Sequence, residues 1–219
     1  MPPPARPASG AKGAVTTVEA ERWERAVARR SAESRATVPH LELDIEVELS
    51  IAPEAPGVGA LVLWACAQAL REHPRANASY RDGHFELYER INIGTIVASE
   101  KGYVIPTIFE ADGKAIATLQ DELHALTERA GAGLLSAPEL AGATFTFWDA
   151  GALGLARAGP VIVPPQAAAL ACGMPRAPGA NSTATVLTLT LSCDHRILYG
   201  ATAAAFLTRV RDLVQAGSP

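Results

Sequence analysis

The stretch CDHRILYG, residues 193–200, places a histidine between an aspartate and an arginine near the C-terminus. Imidazole groups in general titrate near pH ~6.5, so a histidine can take a proton from a hydroxyl or thiol at neutral pH. His195 is therefore the candidate general base. Asp194 and Arg196 are given supporting roles, because charges beside a histidine at a strand end are also typical of a solvated turn. The alternative is that His195 is a structural histidine without a catalytic role.

The other four histidines lack the spacing of metal ligands, so no metal site is predicted. They are interpreted as structural or surface residues at positions His40, His73, His84 and His124. The glycine-rich turns contain no G-x-x-x-x-G-K-[ST] loop, which argues against nucleotide hydrolysis. The chemistry of the chain is therefore predicted to depend on His195 rather than on a metal or a nucleotide.

Composition excludes several classes of partner. The formal charge of −4 and the pI near 5.7 give no basic surface for nucleic acid or an anionic membrane. No apolar run is long enough to span a membrane, and the N-terminus lacks the apolar region of a signal peptide. Three widely spaced cysteines, Cys66, Cys172 and Cys193, argue against a disulfide framework or a zinc site. We therefore expect a cytoplasmic protein with no nucleic-acid or membrane partner.

Helical periodicity predicts four of the elements that must position His195. Residues 1–15 are rich in Pro, Ala and Gly and are predicted to form a flexible arm before a single catalytic domain, residues 16–219. Helices are predicted in the stretches TTVEAERWERAVARRSAESRATVPH, VGALVLWACAQALREHP, TLQDELHALTERAGAG and GATAAAFLTRVRDLVQAG. The second stretch is nearly all apolar, which is typical of a helix buried in the core.

Strand patterns supply the rest of the fold. LELDIEVELS, residues 41–50, alternates apolar and acidic residues, which predicts a half-exposed strand with an acidic outer face. That face is interpreted as solvated, with arginines of a neighbouring subunit as the alternative. Short strands are predicted between turns at Gly83, Gly94 and Gly102, and longer ones in GATFTFWDAG and TVLTLTLSCDHR. The predicted fold class is α+β, a mixed α/β sandwich with one large mixed sheet packed with helices.

Four segments in this order carry a resemblance to a known family: NIGTIVASEKGYVIPTI, GATFTFWDAGALG, VPPQAAALACG and LSCDHRILYG. They are similar to the catalytic domain of dihydrolipoyl acyltransferases of 2-oxoacid dehydrogenase complexes, relatives of chloramphenicol acetyltransferase. The resemblance spans most of the chain and implies a chloramphenicol acetyltransferase-like fold with His195 as the general base. It also implies acyl-CoA, for example acetyl-CoA, as a co-substrate rather than a tightly bound cofactor, and a homotrimer with its active site between subunits.

Two positions depart from the family pattern. The family's second aspartate, four residues after the histidine, is Tyr199 here, so an arginine that would pair with it needs another partner. That arginine is expected to be Arg29 or Arg30. The oxyanion-binding serine or threonine of the family is replaced by Trp148, which leaves Trp148, Tyr199 and Thr146 as candidates for the oxyanion donor or the pocket wall. The alternative for the two aromatic residues is that they only fill space.

Three functions are compatible with this resemblance. The preferred one is a free-standing acyltransferase that moves an acyl group, acetyl in the simplest case, from acyl-CoA to the hydroxyl of a small molecule, such as a tetronate-type natural-product intermediate. This preference follows from the lack of a lipoyl domain or subunit-binding domain in the sequence. The alternatives are the core subunit of a 2-oxoacid dehydrogenase complex and a catalytically inactive scaffold, the latter favoured by Trp148 and Tyr199.

Overall fold

The computed structural model describes residues 13–49, 57–99, 102–177 and 185–217. Its α-helices are α1 (Arg22–Thr37), α2 (Val58–Glu72), α3 (Ile116–Gly131) and α4 (Gly200–Ala216). Its strands are β1 (His40–Leu49), β2 (Ala78–Arg81), β3 (His84–Leu87), β4 (Ile93–Thr95), β5 (Val97–Ser99), β6 (Gly102–Val104), β7 (Thr107–Ile108), β8 (Phe145–Asp149), β9 (Ala168–Cys172) and β10 (Thr185–Asp194). The four helices confirm the predicted stretches, and α1 ends directly before Val38 and Pro39, because the residue before a proline disfavours helical backbone.

A mixed six-stranded sheet lies at the centre of the fold, with the strand order β1-β10-β9-β8-β4-β7. β10 pairs antiparallel with β1 and β9, whereas β8 runs parallel to β9 and β4. The β2–β3 and β5–β6 hairpins are separate from this sheet. α4 packs against α2 and β1, and α2 is buried along most of its length. The predicted α+β class with one large mixed sheet is confirmed.

Burial of apolar side chains in the core holds β8 in this sheet. Phe145 and Phe147 of β8 are fully buried, and the Phe145 ring packs against Phe206 of α4 with ring centroids 6.0 Å apart. Each such side chain stabilises the fold by roughly 1.5–3 kcal/mol when it leaves water. Side chains alternate along a strand, so Thr146 and Trp148 point to the other face of the sheet. The core therefore fixes which β8 residues can meet a ligand.

The acidic face of β1 is paired with arginines of the same chain. Arg157 forms ion pairs with Glu42 and, at 2.7 Å, with Asp44, and Arg176 lies 2.6 Å from Glu46. The strand and its acidic face are confirmed. The acidic side chains are exposed, as predicted for a solvated face, and these surface ion pairs connect the segments before and after β9 to the edge strand. The alternative, arginines of a neighbouring subunit, stays a prediction.

The predicted glycine turns are confirmed only in part. Asp82 and Gly83 have φ angles of +49° and +82° and connect β2 to β3, as expected for a two-residue hairpin turn. Gly102 begins β6 with φ +95°. The prediction of a turn at Gly94 is wrong, because Gly94 lies within β4. A Cβ atom there would come within 2.8 Å of Ile105, so close packing rather than a turn explains the glycine.

The N-terminal segment is described only from residue 13 onward. Residues 13–21 contain no helix or strand, and Val15 and Val18 are exposed. Residues 1–12 of the predicted arm lie outside the described residues, so the division into an arm, residues 1–15, and one domain, residues 16–219, stays a prediction. The helices within the described ranges are all too short or too polar to cross a membrane.

Candidate active site

His195 directly follows β10, in a turn that is held by backbone hydrogen bonds to two other segments. The His195 N–H donates to the Pro39 carbonyl at 2.9 Å, and the Asp194 N–H donates to the Ala167 carbonyl at 2.8 Å. The Ile197 N–H donates back to the Asp194 carbonyl at 2.9 Å and closes the turn. The backbone at His195 is thus fixed, while the imidazole is exposed.

Asp194 and Arg196 pair with each other rather than with the imidazole. Asp194 is only 2% exposed, and both of its carboxylate oxygens accept hydrogen bonds from the Arg196 guanidinium at 2.7–3.1 Å. These hydrogen bonds raise the pKa of Arg196, whose guanidinium also stacks on the Tyr80 ring at 4.7 Å. Within the described ranges, no side chain hydrogen-bonds to a ring nitrogen of His195. The pair therefore holds the turn and leaves the candidate base available.

Tyr199 lies beside His195 and forms the N-cap of α4. Its side chain is 49% exposed, and its ring meets the imidazole edge-on with ring centroids 6.1 Å apart. Arg29 and Arg30 are exposed on α1, and no described carboxylate pairs with either. No hydrogen bond joins Tyr199 to these arginines among the described contacts. The arginine that matches position 199 in the family pattern therefore stays a prediction.

A cleft of about 1180 Å³ opens among several segments that are far apart in the chain. Its walls come from α1, the start of α2, α3, β5, β6 and residues 159–166. Trp148 and Arg30 lie on this wall, whereas His195 and Tyr199 do not. Within one chain, the candidate base therefore lies outside the lining of the cleft that carries Trp148.

Trp148 and Thr146 share one face of β8 but have different surroundings. Thr146 is fully buried, and its hydroxyl donates a hydrogen bond to Gln166 Oε1 at 2.6 Å. Trp148 is half-buried on the cleft wall, and its indole N–H has no acceptor among the described residues. Trp148 thus lines the cleft with an indole N–H that has no described acceptor, whereas the Thr146 hydroxyl is already engaged.

Asp149 ends β8 and also lies on the cleft wall. Its carboxylate accepts a hydrogen bond from the Ala152 N–H at 3.1 Å and faces the start of α2, where a Cβ atom at Gly59 would collide with it. Burial raises the pKa of Asp149, and no described basic side chain forms an ion pair with it. The sequence gives no sign of a role for Asp149, because its burial depends on contacts between distant segments.

Gln166 is a second cleft residue without a sequence-based assignment. It lies within the VPPQAAALACG segment, is 5% exposed, and contacts both Thr146 and the Ala143 carbonyl through its side chain. In the sequence, position 166 is marked only by a glutamine between two prolines and a run of alanines. That pattern does not predict which groups the amide will meet.

The remaining histidines have structural or surface positions. The Ile162 N–H donates to His40 Nε2 at 3.4 Å, and His73 forms the C-cap of α2. His84 is exposed on β3, and His124 is exposed on α3 at the cleft wall. These positions confirm the interpretation made from the sequence.

The three cysteines are free and buried. Burial raises the pKa of each thiol, to about 12 for Cys193, where the Asp194 carboxylate adds to the effect. Such thiols stay protonated at neutral pH and are poor nucleophiles. Among the described residues, no group of three or more His, Cys, Asp or Glu side chains is arranged to hold a metal ion.

Comparison with known sequences gives a family match over nearly the whole chain. Residues 12–218 match the family described as 2-oxoacid dehydrogenases acyltransferase (catalytic domain). The chain is 34% identical over 209 residues to the dihydrolipoyllysine-residue acetyltransferase component of the pyruvate dehydrogenase complex of Rickettsia bellii, covering 86% of this chain and 50% of that protein. It is 32% identical to the mitochondrial component 2 of Arabidopsis thaliana, covering 86% and 39% respectively. The chain thus spans about half or less of these relatives.

Solved structures give the same result for the fold. The dihydrolipoamide acetyltransferase of Azotobacter vinelandii superposes with a TM-score of 0.84 at 26% identity, covering 98% of this chain and 97% of that chain. The cubic core of the pyruvate dehydrogenase multienzyme complex gives a TM-score of 0.84 at 27% identity with the same coverage. Chloramphenicol acetyltransferase matches with a TM-score of 0.52 at 15% identity, over 85% of this chain and 94% of that chain, which confirms the predicted fold alone.

Proposed function

Because the chain belongs to the family of 2-oxoacid dehydrogenase acyltransferase catalytic domains, we propose that it transfers an acyl group, acetyl in the simplest case, from acyl-CoA to a small hydroxyl or thiol acceptor. The observation that carries this proposal is the exposed His195 imidazole on a turn whose backbone is fixed. The names of the relatives supply a dihydrolipoyl group as the acceptor to try first. Nothing in the described residues or in these names points to a tetronate acceptor.

The proposed reaction needs only one proton carrier. A ring nitrogen of His195 takes the proton from the acceptor hydroxyl or thiol, and the acceptor atom forms a bond to the thioester carbon. The resulting tetrahedral oxyanion collapses, the bond from carbon to the sulfur of coenzyme A breaks, and the imidazolium returns its proton to the leaving thiolate. The acyl group is transferred directly, without a covalent enzyme intermediate or a tightly bound cofactor.

The proposed active site is shared between subunits of a homotrimer. His195 does not lie on the wall of the Trp148 cleft in its own chain, so the cleft of a neighbouring copy would supply the other half of the site. The similarity to a cubic core, which is an assembly of many chains, supports an oligomer. Closed cyclic symmetry predicts a single trimer mass in light scattering. An active monomer would contradict this part of the proposal.

Two other functions have specific support. A role as the core subunit of a 2-oxoacid dehydrogenase complex is favoured by the relatives, which are components of the pyruvate dehydrogenase complex. An inactive scaffold is favoured by Trp148 at the position of the family's hydroxyl donor. The cytoplasmic location inferred from the sequence stays a prediction.

An assay with acetyl-CoA and dihydrolipoamide tests the proposal, with free coenzyme A and S-acetyldihydrolipoamide separated and quantified by chromatography, because the reaction exchanges one thioester for another. We expect turnover that requires the acceptor, and a small alcohol in place of dihydrolipoamide tests hydroxyl acceptors. His84→Ala is the matched control for His195→Ala, because His84 is an exposed histidine on β3. A correctly assembled native protein that turns over neither acceptor would favour the inactive scaffold.

A further inference from the structure

Gln166 lies on the cleft wall and has one side-chain N–H without an acceptor among the described residues. The residue is 5% exposed, yet it forms part of the cleft wall. Its side-chain oxygen accepts the hydrogen bond from Thr146 Oγ1 at 2.6 Å, and its Nε2 donates to the Ala143 carbonyl at 3.2 Å. A carboxamide carries two N–H donors, and the described residues offer an acceptor to only one of them. The second N–H of Gln166 therefore has no acceptor among the described residues.

The surroundings of Gln166 keep its amide in one orientation. Thr146 is fully buried in the central sheet, so its hydroxyl cannot turn to solvent. The Gln166 backbone N–H donates to the Val163 carbonyl at 3.0 Å, and Gln166 forms an isolated β-bridge with Ser79. If the amide oxygen and nitrogen of Gln166 were exchanged, its oxygen would face the Ala143 carbonyl oxygen, and two acceptors would meet without a proton between them. The orientation with the oxygen facing Thr146 is therefore preferred. A buried donor held in this way is normally satisfied by water or a ligand.

The position of Gln166 relative to the candidate base follows from strand pairing. The Asp194 N–H donates to the Ala167 carbonyl at 2.8 Å, and Cys193 pairs with Ala168 in the adjacent register position. His195 follows Asp194 and Gln166 precedes Ala167. Because the two segments are antiparallel, both residues lie just beyond this hydrogen bond on the same side. Gln166 and the His195 turn therefore lie at the same end of the sheet in one chain, and in the proposed trimer the imidazole that acts on this cleft comes from a neighbouring copy.

We propose that Gln166 donates its second N–H to the carbonyl oxygen of the bound acyl group and that Thr146 is a positioning residue for this amide. This inference rests on the proposed acyl transfer. A thioester carbonyl is an acceptor that needs such a donor, whereas coenzyme A without an acyl group has no oxygen at that place. Thr146 acts through Gln166, since its own hydroxyl does not reach the cleft.

A purely structural role for Gln166 makes a different prediction. If the amide only connects β8 to the segment before β9, its loss lowers the stability of the fold and lowers the affinity for every ligand by the same factor. If the amide binds the acyl carbonyl, its loss acts selectively on ligands that carry that carbonyl. Comparing two ligands that differ in this one group separates the two roles, without any need for turnover.

The experiment is calorimetric titration of the assembled protein with acetyl-CoA and with S-ethyl-CoA, in which a methylene replaces the carbonyl. One neutral hydrogen bond contributes modestly, so we expect native protein to prefer acetyl-CoA by roughly three- to tenfold. Gln166→Met and Thr146→Val should both reduce this preference to nearly none, while the affinity for S-ethyl-CoA stays almost the same. Thr146→Ser keeps the hydroxyl and should retain the preference.

The outcomes separate this inference from the proposed function. A preference that survives in Gln166→Met, or equal binding of both ligands by the native protein, overturns the role of Gln166 while acyl transfer can still be measured. Failure of the native protein to bind either ligand overturns the proposed function itself. If Gln166→Met does not fold, Gln166→Glu replaces it, because the carboxylate keeps an acceptor for Thr146 and lacks the donor, so the preference should still be lost.

Discussion

The turn that carries His195 and the cleft that carries Trp148 are assembled in different ways. The turn is local, because the neighbours Asp194 and Arg196 pair with each other and two backbone hydrogen bonds, to Pro39 and Ala167, complete it. The cleft is built by segments from α1 to residue 166, and none of these segments defines it alone. A short motif thus specifies the candidate base, whereas the shape and polarity of the cleft depend on the whole fold.

This difference bears on how such a domain can change its chemistry. A substitution on the cleft wall should leave the turn unchanged, because Arg196, Pro39 and Ala167, which hold the turn, do not line the cleft. Trp148, which the resemblance places at the family's hydroxyl position, is such a change, and the Asp194–Arg196 pair of the turn is present. The base can therefore be retained while the acceptor site is rebuilt, and the following substitutions test this separation.

The largest expected effect is the loss of the base on the turn. His195→Ala should lower turnover by about 10² to 10⁴, the usual contribution of a positioned general base. The free energy of unfolding should hardly change, because the imidazole is exposed and unpaired among the described residues. Steady-state assays with acetyl-CoA and urea unfolding measure the two quantities. Unchanged turnover would show that His195 is a structural residue.

The next effect concerns the donor on the cleft wall. Trp148→Phe removes the indole N–H but keeps an aromatic ring, and loss of one oxyanion donor should lower kcat roughly a hundredfold. Tyr199→Phe is the control on the turn, since Tyr199 does not line the cleft, and it should change kcat by less than about threefold. A larger loss of kcat in Tyr199→Phe than in Trp148→Phe would place the oxyanion donor on the turn and contradict the separation of the turn from the cleft.

A third effect measures how firmly the turn is held. Arg196→Ala leaves the buried Asp194 carboxylate without its partner and should lower the free energy of unfolding by about 2–3 kcal/mol. Arg209→Ala is the matched control, because Arg209 makes a similar two-point contact with the exposed Glu72 and should cost less than about 1 kcal/mol. Urea unfolding of both variants gives the comparison. Equal losses would mean that burial of Asp194 does not strengthen the turn.

Most of the secondary structure could be predicted because its signals are local. The period of α3, the alternation of β1 and the Val38-Pro39 stop after α1 are visible in single segments. β9 was not predicted, since Ala168–Cys172 is rich in alanine, which favours a helix. It is a strand because it lies between β10 and β8 with all five residues buried. Tertiary position overrides local propensity there.

The same limit applies to the candidate site. His195 and the charges beside it were predicted from one motif, and Trp148, predicted as an oxyanion or pocket candidate, lies on the cleft wall. Thr146 was considered a candidate donor to the ligand, but its hydroxyl is directed at Gln166. Gln166 and Asp149 were missed, because their environment depends on burial and on partners 20 or more residues away. A sequence motif carries no information about such contacts.

The smallest expected effect compares the two aspartates. Asp194 on the turn is paired with Arg196, whereas burial raises the pKa of Asp149 in the cleft above its ordinary value of 3.8. Between pH 3.8 and that higher pKa, the folded protein binds a proton that the unfolded chain has lost, so the stability contributed by this group falls as the pH rises.

Asp149→Asn removes the charge that burial disfavours and should therefore stabilise the protein at neutral pH. The gain should be less than about 1 kcal/mol, because the half-buried carboxylate is still screened by solvent. Urea unfolding near pH ~7 and again well below pH 3.8 provides the measurement, since linkage requires the gain to vanish once both states are protonated. A gain of equal size at both pH values would show that shape or hydrogen bonding, rather than charge, distinguishes this aspartate from Asp194.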